Sequence, residues 1–309
     1  MITPRRLRID PTTHCQLRCP ACQNDTLEQT DVGRGMLDLG EYAKLTEGIE
    51  RVELGNWGEP FLYPQIHELI RYSYNRHKIG ILSNLNHISD EAVDAVVRYK
   101  VDRIVVSLDG ASQETYSQYR VNGDFQRVLI NVERINNMKR RFKSRFPQLT
   151  WQFLVFGFNE HEFRQAKRMA RSMGMDWCMA LPTGMDWTTE DYDCDLSPVR
   201  DTEAIRGELG FATLEEQRAK WGAFRDFGVC RGLWEEPSIN WDGRMLGCCA
   251  TTKSFNSNAF TDGLVASFNT DELNNAREMV QGKGFTEGIP CSNCLAYKMM
   301  KRDGTWMSP

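Results

Sequence analysis

The 309-residue sequence predicts an α/β fold: an open barrel of six strand–helix units, then a smaller module of a β-hairpin and a helix. Two observations predict it. Up to about Pro182, short apolar runs alternate with helical patterns about six times. Such alternation implies a parallel sheet with helices outside. Beyond Cys230 the pattern changes to two short extended runs around Asp242-Gly243, a hairpin signal.

In chain order, the first strand is expected at 7–9, followed by a cysteine-bearing loop. A helix over 37–49 and a strand over 51–54 come next. The helix over 66–77 carries Ile66, Leu69, Ile70 and Tyr74 on one face, the helical period. The third strand is expected at 78–82. Ser89 can cap the helix bearing Ala92, Val93, Val96 and Val97. The fourth strand at 102–107 leads into one long helical tract to about Arg145, whose basic run at 139–145 reads as a solvated face. A strand at 151–156, a helix over 160–173 and a sixth strand at 175–181 complete a partial (βα)6, TIM-like barrel. Chemistry in such barrels gathers on the loops after the strands' C-terminal ends.

Hydrophobic content of 41% and 26% charged residues are those of an ordinary globular chain. No apolar run reaches membrane-spanning length, and no apolar core follows the charges of the N-terminus. A net charge of −4 leaves no nucleic-acid footprint. The expectation is a cytoplasmic protein, with no membrane or nucleic-acid partner. Ten cysteines in such a chain argue for metal or catalytic use over disulfides. They fall at 15/19/22, at 230/248/249 and at 291/294, with Cys178 and Cys194 alone, which suggests two metal sites.

Cys15, Cys19 and Cys22 form CxxxCxxC just after the first strand. Three thiolates can hold three corners of a cubane iron–sulfur cluster, leaving the fourth iron open to a non-protein ligand. Zinc would want a fourth ligand nearby, and His14, next to Cys15 at an extended strand end, points the other way. The spacing and position resemble the radical S-adenosylmethionine (radical SAM) superfamily. The resemblance implies that the open iron chelates SAM, and that one electron from the cluster splits it to a 5′-deoxyadenosyl radical. Further matches follow on successive strand ends. Gly58, Glu59 and Pro60 resemble the family's GGEP element, where glycine permits close backbone approach and a carboxylate receives the SAM ammonium; Asn56-Trp57 departs from the commonest form. Ser83 and Asn84 resemble the ribose-contacting pair, Ser107 and Asp109 a polar strand end, and Arg120 the arginine that meets the SAM carboxylate. Singly these are ordinary turn residues; their order behind CxxxCxxC gives them weight.

The hairpin brings Cys230 and Cys248 together, and Cys291-x2-Cys294 supplies a second pair. By spacing alone, the four thiolates suit zinc or a [4Fe–4S] cluster. The arrangement resembles the twitch, or truncated SPASM, extension of radical SAM enzymes. That implies a fully ligated auxiliary [4Fe–4S] cluster, making two clusters plus SAM as cofactors. The expected domains are a barrel over 1–185, an acidic connector over 186–227 and a twitch domain over 228–309. The connector's 186–195 stretch reads as a solvated acidic loop; beside a barrel mouth, its carboxylates and aromatics would also suit a cationic, hydroxylated ligand.

Cys249 is left over beside a ligand. Such a cysteine can be a small buried filler. The Cys248-Cys249 pair is also similar to that of radical SAM epimerases, which act on aminoglycosides or peptides. There the resemblance implies a thiol that gives a hydrogen atom to a substrate radical. The leading expectation is therefore an epimerase of an aminoglycoside or amino sugar, supplied by a low-potential reductant such as flavodoxin or ferredoxin. The four-cysteine layout equally resembles a twitch-type radical SAM dehydrogenase acting on an aminocyclitol, in which Cys249 is a bystander. Peptide epimerisation or maturation is the third reading.

Overall fold

A computed structural model of the chain describes residues 1–20, 22–180, 202–209 and 230–307. Its strands are β1 (Arg6–Ile9), β2 (Arg51–Leu54), β3 (Lys78–Ser83), β4 (Arg103–Ser107), β5 (Gln148–Leu154), β6 (Asp176–Ala180) and β7 (Ser238–Ile239). Among the described residues the helices are α1 (Leu39–Leu45), α2 (Ile66–Ser73), α3 (Asp90–Arg98), α4 (Gln113–Tyr119), α5 (Phe125–Phe142) and α6 (Phe163–Ser172). They continue with α7 (Thr202–Leu209), α8 (Leu264–Ser267), α9 (Asp271–Val280) and α10 (Leu295–Asp303). The architecture is the predicted α/β partial barrel. The acidic stretch 186–195, with Cys194, lies outside the described residues.

Two compact units are present. One comprises Met1–Thr13, Thr26–Asn56 and Phe211–Pro309; the other comprises His14–Asp25 and Trp57–Gly210. In the first, the strand order is β2-β1-β7, all parallel. Leu7, Ile9, Val52, Leu54 and Ile239 are fully or almost fully buried in it. The hairpin forms where Asp242-Gly243 predicts it: Ile239 bridges Met245 antiparallel, and Gly243 takes φ +86°, a backbone that favours glycine. What the sequence pattern does not show is that β7 also pairs with β1, Arg8 opposite Ser238. That pairing covers an edge of backbone N–H and C=O groups that would otherwise invite association.

In the second unit β3, β4, β5 and β6 pair in sequence order, again parallel. Helix α3 starts where Ser89 accepts from the Ala92 N–H at 3.1 Å, as expected, and presents Val93, Val96 and Val97 to the interior. The tract expected as one helix to Arg145 is instead α4 and α5. Asn122 at φ +69° interrupts it. Gly123 follows, where a Cβ would lie 2.6 Å from the Tyr116 ring. Asp124 then restarts the helix by accepting from the Arg127 N–H. The basic run is exposed at Arg140, Arg141, Lys143 and Arg145, as a solvated end of α5.

Candidate functional site

The loop after β1 carries Cys15, Cys19 and Cys22, and hydrogen bonds within the second unit fix it. The Glu59 N–H donates to the His14 carbonyl at 2.9 Å, the Arg18 N–H to the Val121 carbonyl at 3.1 Å and the Cys22 N–H to the Cys19 carbonyl at 2.9 Å. Burial pushes the Cys15 thiol up to about 12 and raises Cys19 and Cys22 as well. Each sulfur nevertheless has a donor aimed at it. Cys15 accepts from the Leu17 N–H and from the Asn84 amide at 3.6 Å. Cys19 accepts from the Arg120 guanidinium at 3.6 Å, and Cys22 from the Asn24 N–H. Buried thiols are costly to ionise unless a metal centre supplies positive charge, while N–H donors suit thiolate sulfur. The donor set fits an iron–sulfur cluster. Among the described residues, no three His, Cys, Asp or Glu side chains gather closely enough to hold a single metal ion.

Glu59 is the buried centre of the next layer. Its Oε1 accepts from the Ser83 hydroxyl at 2.7 Å and the Phe61 N–H at 3.1 Å; its Oε2 accepts from the Asn84 N–H at 2.7 Å. Glu59 thus caps a short 3₁₀ turn beginning at Pro60 and ties that loop to the end of β3. Burial pushes its carboxyl up to about 7, against the three donors and Arg120. Gly58 precedes it, half-buried, and the Trp57 carbonyl is held by the Asn24 amide at 2.6 Å. The loop after Ser83 is clamped in turn. The Asn131 amide donates to the Leu85 carbonyl at 2.9 Å, and the Asn86 amide to the Tyr116 hydroxyl at 2.8 Å.

The end of β4 brings Ser107, Leu108, Asp109 and Gly110 under α4. A Cβ on Gly110 would lie 2.6 Å from the Tyr116 backbone nitrogen, so only glycine fits the approach. Asp109 is fully buried. Its Oδ1 accepts from the Leu154 N–H at 2.7 Å and its Oδ2 from Arg120 Nε at 2.6 Å. Burial raises the Asp109 carboxyl while Arg120 pulls it back. Burial also opposes the Arg120 charge, but Asp109 and the Cys19 sulfur leave it well above its ordinary value. The break between α4 and α5 explains the placement. Arg120 is the C-cap of α4, and the adjoining turn is bonded to the cysteine loop through Val121.

Gln16, Asn86, Asn131 and Asn159 escaped the sequence reading. Asn159 is fully buried and donates to the Asp109 and Leu154 carbonyls. Buried amides that brace strand ends look like turn residues in a sequence, and only their burial separates them.

In the first unit, Cys230, Cys248 and Cys291 are buried and Cys294 is half-buried. Burial raises Cys230, and the Cys294 and Cys291 sulfurs add to it. Cys248 is raised by burial, then by Cys249, Cys291 and Cys230. Each of the four expected thiols thus lies within electrostatic reach of at least two others. Gly232 makes this possible: a Cβ there would lie 3.0 Å from the Gly247 carbonyl. Buried Arg277 steadies the Cys230 turn by donating to the Leu233 carbonyl at 2.6 Å. Cys249 is half-buried. Its carbonyl accepts from the Asn56 amide at 3.1 Å, and the Asn56 N–H donates to Asp10 at 2.7 Å. Arg8 is near as well. Burial opposes its charge, yet Cys249, Glu236 and Glu53 raise it above its ordinary value. Cys178 stands apart on β6.

Among curated proteins, the chain is 27% identical over 137 residues to an AdoMet-dependent heme synthase from Methanosarcina barkeri, covering 42% of this chain and 38% of that protein. It is 25% identical over 211 residues to a GTP 3′,8-cyclase from Rhizobium etli, covering 64% of this chain and 57% of that one. The chain thus spans well under two thirds of the length of these relatives. Among solved structures, Streptococcus suis SuiB bound to S-adenosylmethionine superposes with a TM-score of 0.67 at 16% identity, over 95% of this chain and 71% of SuiB. The anSMEcpe structure with bound AdoMet and a peptide gives 0.60 at 15% identity, over 94% of this chain and 86% of that chain; at such identities the likeness is one of fold. The family pattern of the Radical SAM superfamily matches residues 9–170, more than half of the sequence, and takes in all three loop cysteines, Glu59, Asp109 and Arg120. The chain belongs to the radical SAM superfamily.

Proposed function

We propose that this radical SAM enzyme is an epimerase that inverts a C–H stereocentre of an aminoglycoside or amino sugar, with Cys249 as the hydrogen-atom donor. The observation that carries the reading is a fifth, half-buried thiol next to Cys248, in a set where four thiols already suffice for one cluster. Its backbone is held from Asn56, within the Asn56-Trp57 departure from the usual SAM-binding loop.

Cys15, Cys19 and Cys22 hold the reducing cluster. Cys230, Cys248, Cys291 and Cys294 hold a second, fully ligated [4Fe–4S] cluster. When bound, the first cluster and SAM supply a 5′-deoxyadenosyl radical that takes a hydrogen atom from carbon. Gly58 lets the backbone approach SAM closely. Glu59, already accepting three hydrogen bonds, has acceptor capacity left for the SAM ammonium. Pro60 stiffens the loop behind it, Ser83 and Asn84 face the ribose, Ser107 and Asp109 line the polar strand end, and Arg120 meets the carboxylate. Cys249 gives its S–H hydrogen to the opposite face of the substrate carbon. Its sulfur then needs one electron and one proton before the next turnover; water supplies the proton. A low-potential carrier such as flavodoxin or ferredoxin would supply the electron. Nine free thiols among the described residues suit a reducing, cytoplasmic setting. No described helix is long and apolar enough to cross a membrane.

The test is an anaerobic reaction of the reconstituted protein with SAM, dithionite and aminoglycosides in deuterium oxide, read by mass spectrometry. The expected product is one mass unit heavier, and it is lost in Cys249→Ala while deoxyadenosine still forms. A product two units lighter that survives Cys249→Ala means dehydrogenation of an aminocyclitol and ends the epimerase reading. Deoxyadenosine with no altered sugar points to a peptide substrate. Independently, Cys248→Ala is expected to lose half of the bound iron and keep deoxyadenosine formation, as counted by iron assay. An unchanged iron content would remove the second cluster from the proposal.

A further inference from the structure

Cys15, Cys19 and Cys22 would hold the first cluster, and the donors to their sulfurs differ in kind. Cys15 has the neutral Asn84 amide and the Leu17 N–H; Cys22 has the Asn24 N–H. Cys19 alone, among the described contacts, accepts from a cation, Arg120 Nη1 at 3.6 Å. That guanidinium is not a loose surface group. Its side chain is 13% exposed, its Nε is fixed on the fully buried Asp109 at 2.6 Å, and it lies 5.0 Å from the centre of the Tyr119 ring. Asp109 is fixed in turn by the Leu154 N–H. The chain Leu154–Asp109–Arg120–Cys19 is hydrogen-bonded at every link.

Reduction adds one electron, and no proton, to a cluster already carrying anionic thiolates. Hydrogen bonds to the sulfurs, net charge and exposure set its potential. A charge-assisted N–H donor on one sulfur favours the more negative, reduced level. We propose that Arg120, positioned by Asp109, raises the reduction potential of the Cys15/Cys19/Cys22 cluster through its N–H···S bond to Cys19, before SAM binds. This is separate from any contact between Arg120 and the SAM carboxylate. It rests on the family's cluster and not on the epimerase reading. The electron comes from an external one-electron reductant.

The experiment is an EPR-monitored redox titration of the reconstituted holoprotein without SAM, with dithionite and mediators. Poised at the native midpoint, Arg120→Met is expected to show a reduced-to-oxidised ratio about tenfold lower, which is about 59 mV for one electron. Arg120→Lys keeps the charge but cannot span Asp109 and Cys19 with the same fork, and falls between. Removing Arg120 alone strands a buried carboxylate and can cost the fold. The double variant Arg120→Met with Asp109→Asn removes both charges of the pair, and is expected to lower the ratio in the same direction by a smaller factor. Native midpoints in Arg120→Lys and in the double variant, at full cluster content, overturn the proposal. So does a variant series that weakens SAM binding while the SAM-free midpoint stays at the native value, because Arg120 would then serve SAM alone.

Discussion

Asp109→Ala is expected to lower the unfolding free energy by about 3–5 kcal/mol, the range for removing one partner of a buried ion pair. The cause is the group left behind. Arg120 would keep a guanidinium in a nearly closed site with no carboxylate within reach of its Nε. The Leu154 N–H would lose its acceptor at the end of β5 as well. Asp109→Asn is expected to cost less, because its amide oxygen can still accept from one of the two donors. Replacing the pair together, Asp109→Leu with Arg120→Met, is expected to recover much of the loss, since breaking a pair is worse than deleting it. Urea midpoints at constant m-value read all three. A loss below about 1 kcal/mol for Asp109→Ala, typical of exposed pairs, would contradict the buried geometry.

The second large effect is a pH dependence at Glu59. Its carboxyl is pushed up to about 7 from 4.5, chiefly by burial. A carboxyl raised in the folded state binds its proton more tightly there than in the unfolded chain. The resulting stabilisation is fully present below about pH 4.5, and it is lost progressively as the pH rises to about 7. With one pKa unit worth about 1.4 kcal/mol, the difference between pH 4.5 and pH 8 is about 3 kcal/mol. Glu59→Gln is neutral at every pH and keeps an acceptor for Ser83. Its stability relative to the native protein is therefore expected to improve by about that amount from pH 4.5 to pH 8. Denaturant titrations at the two pH values decide it. A pH-independent gap would mean that Glu59 is ionised throughout, held by its three donors.

The strand–helix alternation was legible because burial on both faces of a parallel sheet writes continuous apolar runs into the sequence. The cysteine groups were legible because their spacing is a local property. The break at Arg120 was not, since residues 113–142 carry a helical pattern almost throughout. Only Asn122 and Gly123 marked the turn, and their effect depends on Tyr116 lying beneath. Asn56 was visible as an irregularity in the loop, but its meaning lies in a carbonyl 193 positions away. Arg8 reads as a polar residue alternating with Leu7 and Ile9, as on a half-exposed strand. Its partners, Glu236 and the Cys249 neighbourhood, come from the far end of the chain. Long-range polar contacts leave no period in a sequence, which is why candidate ligands could be named from it and their supports could not.

The parallel pairing of β7 with β1 has a consequence for biogenesis. Arg8 is made before the other six strands, whereas Ser238, its partner, is made only after β2 to β6. The unit built from Met1–Thr13, Thr26–Asn56 and Phe211–Pro309 cannot close during synthesis of the barrel. Until then the edge of β1 stays open, a state prone to mispairing. A fragment ending at residue 185 keeps that edge bare permanently, and in a cell it is expected to collect in inclusion bodies or on chaperones.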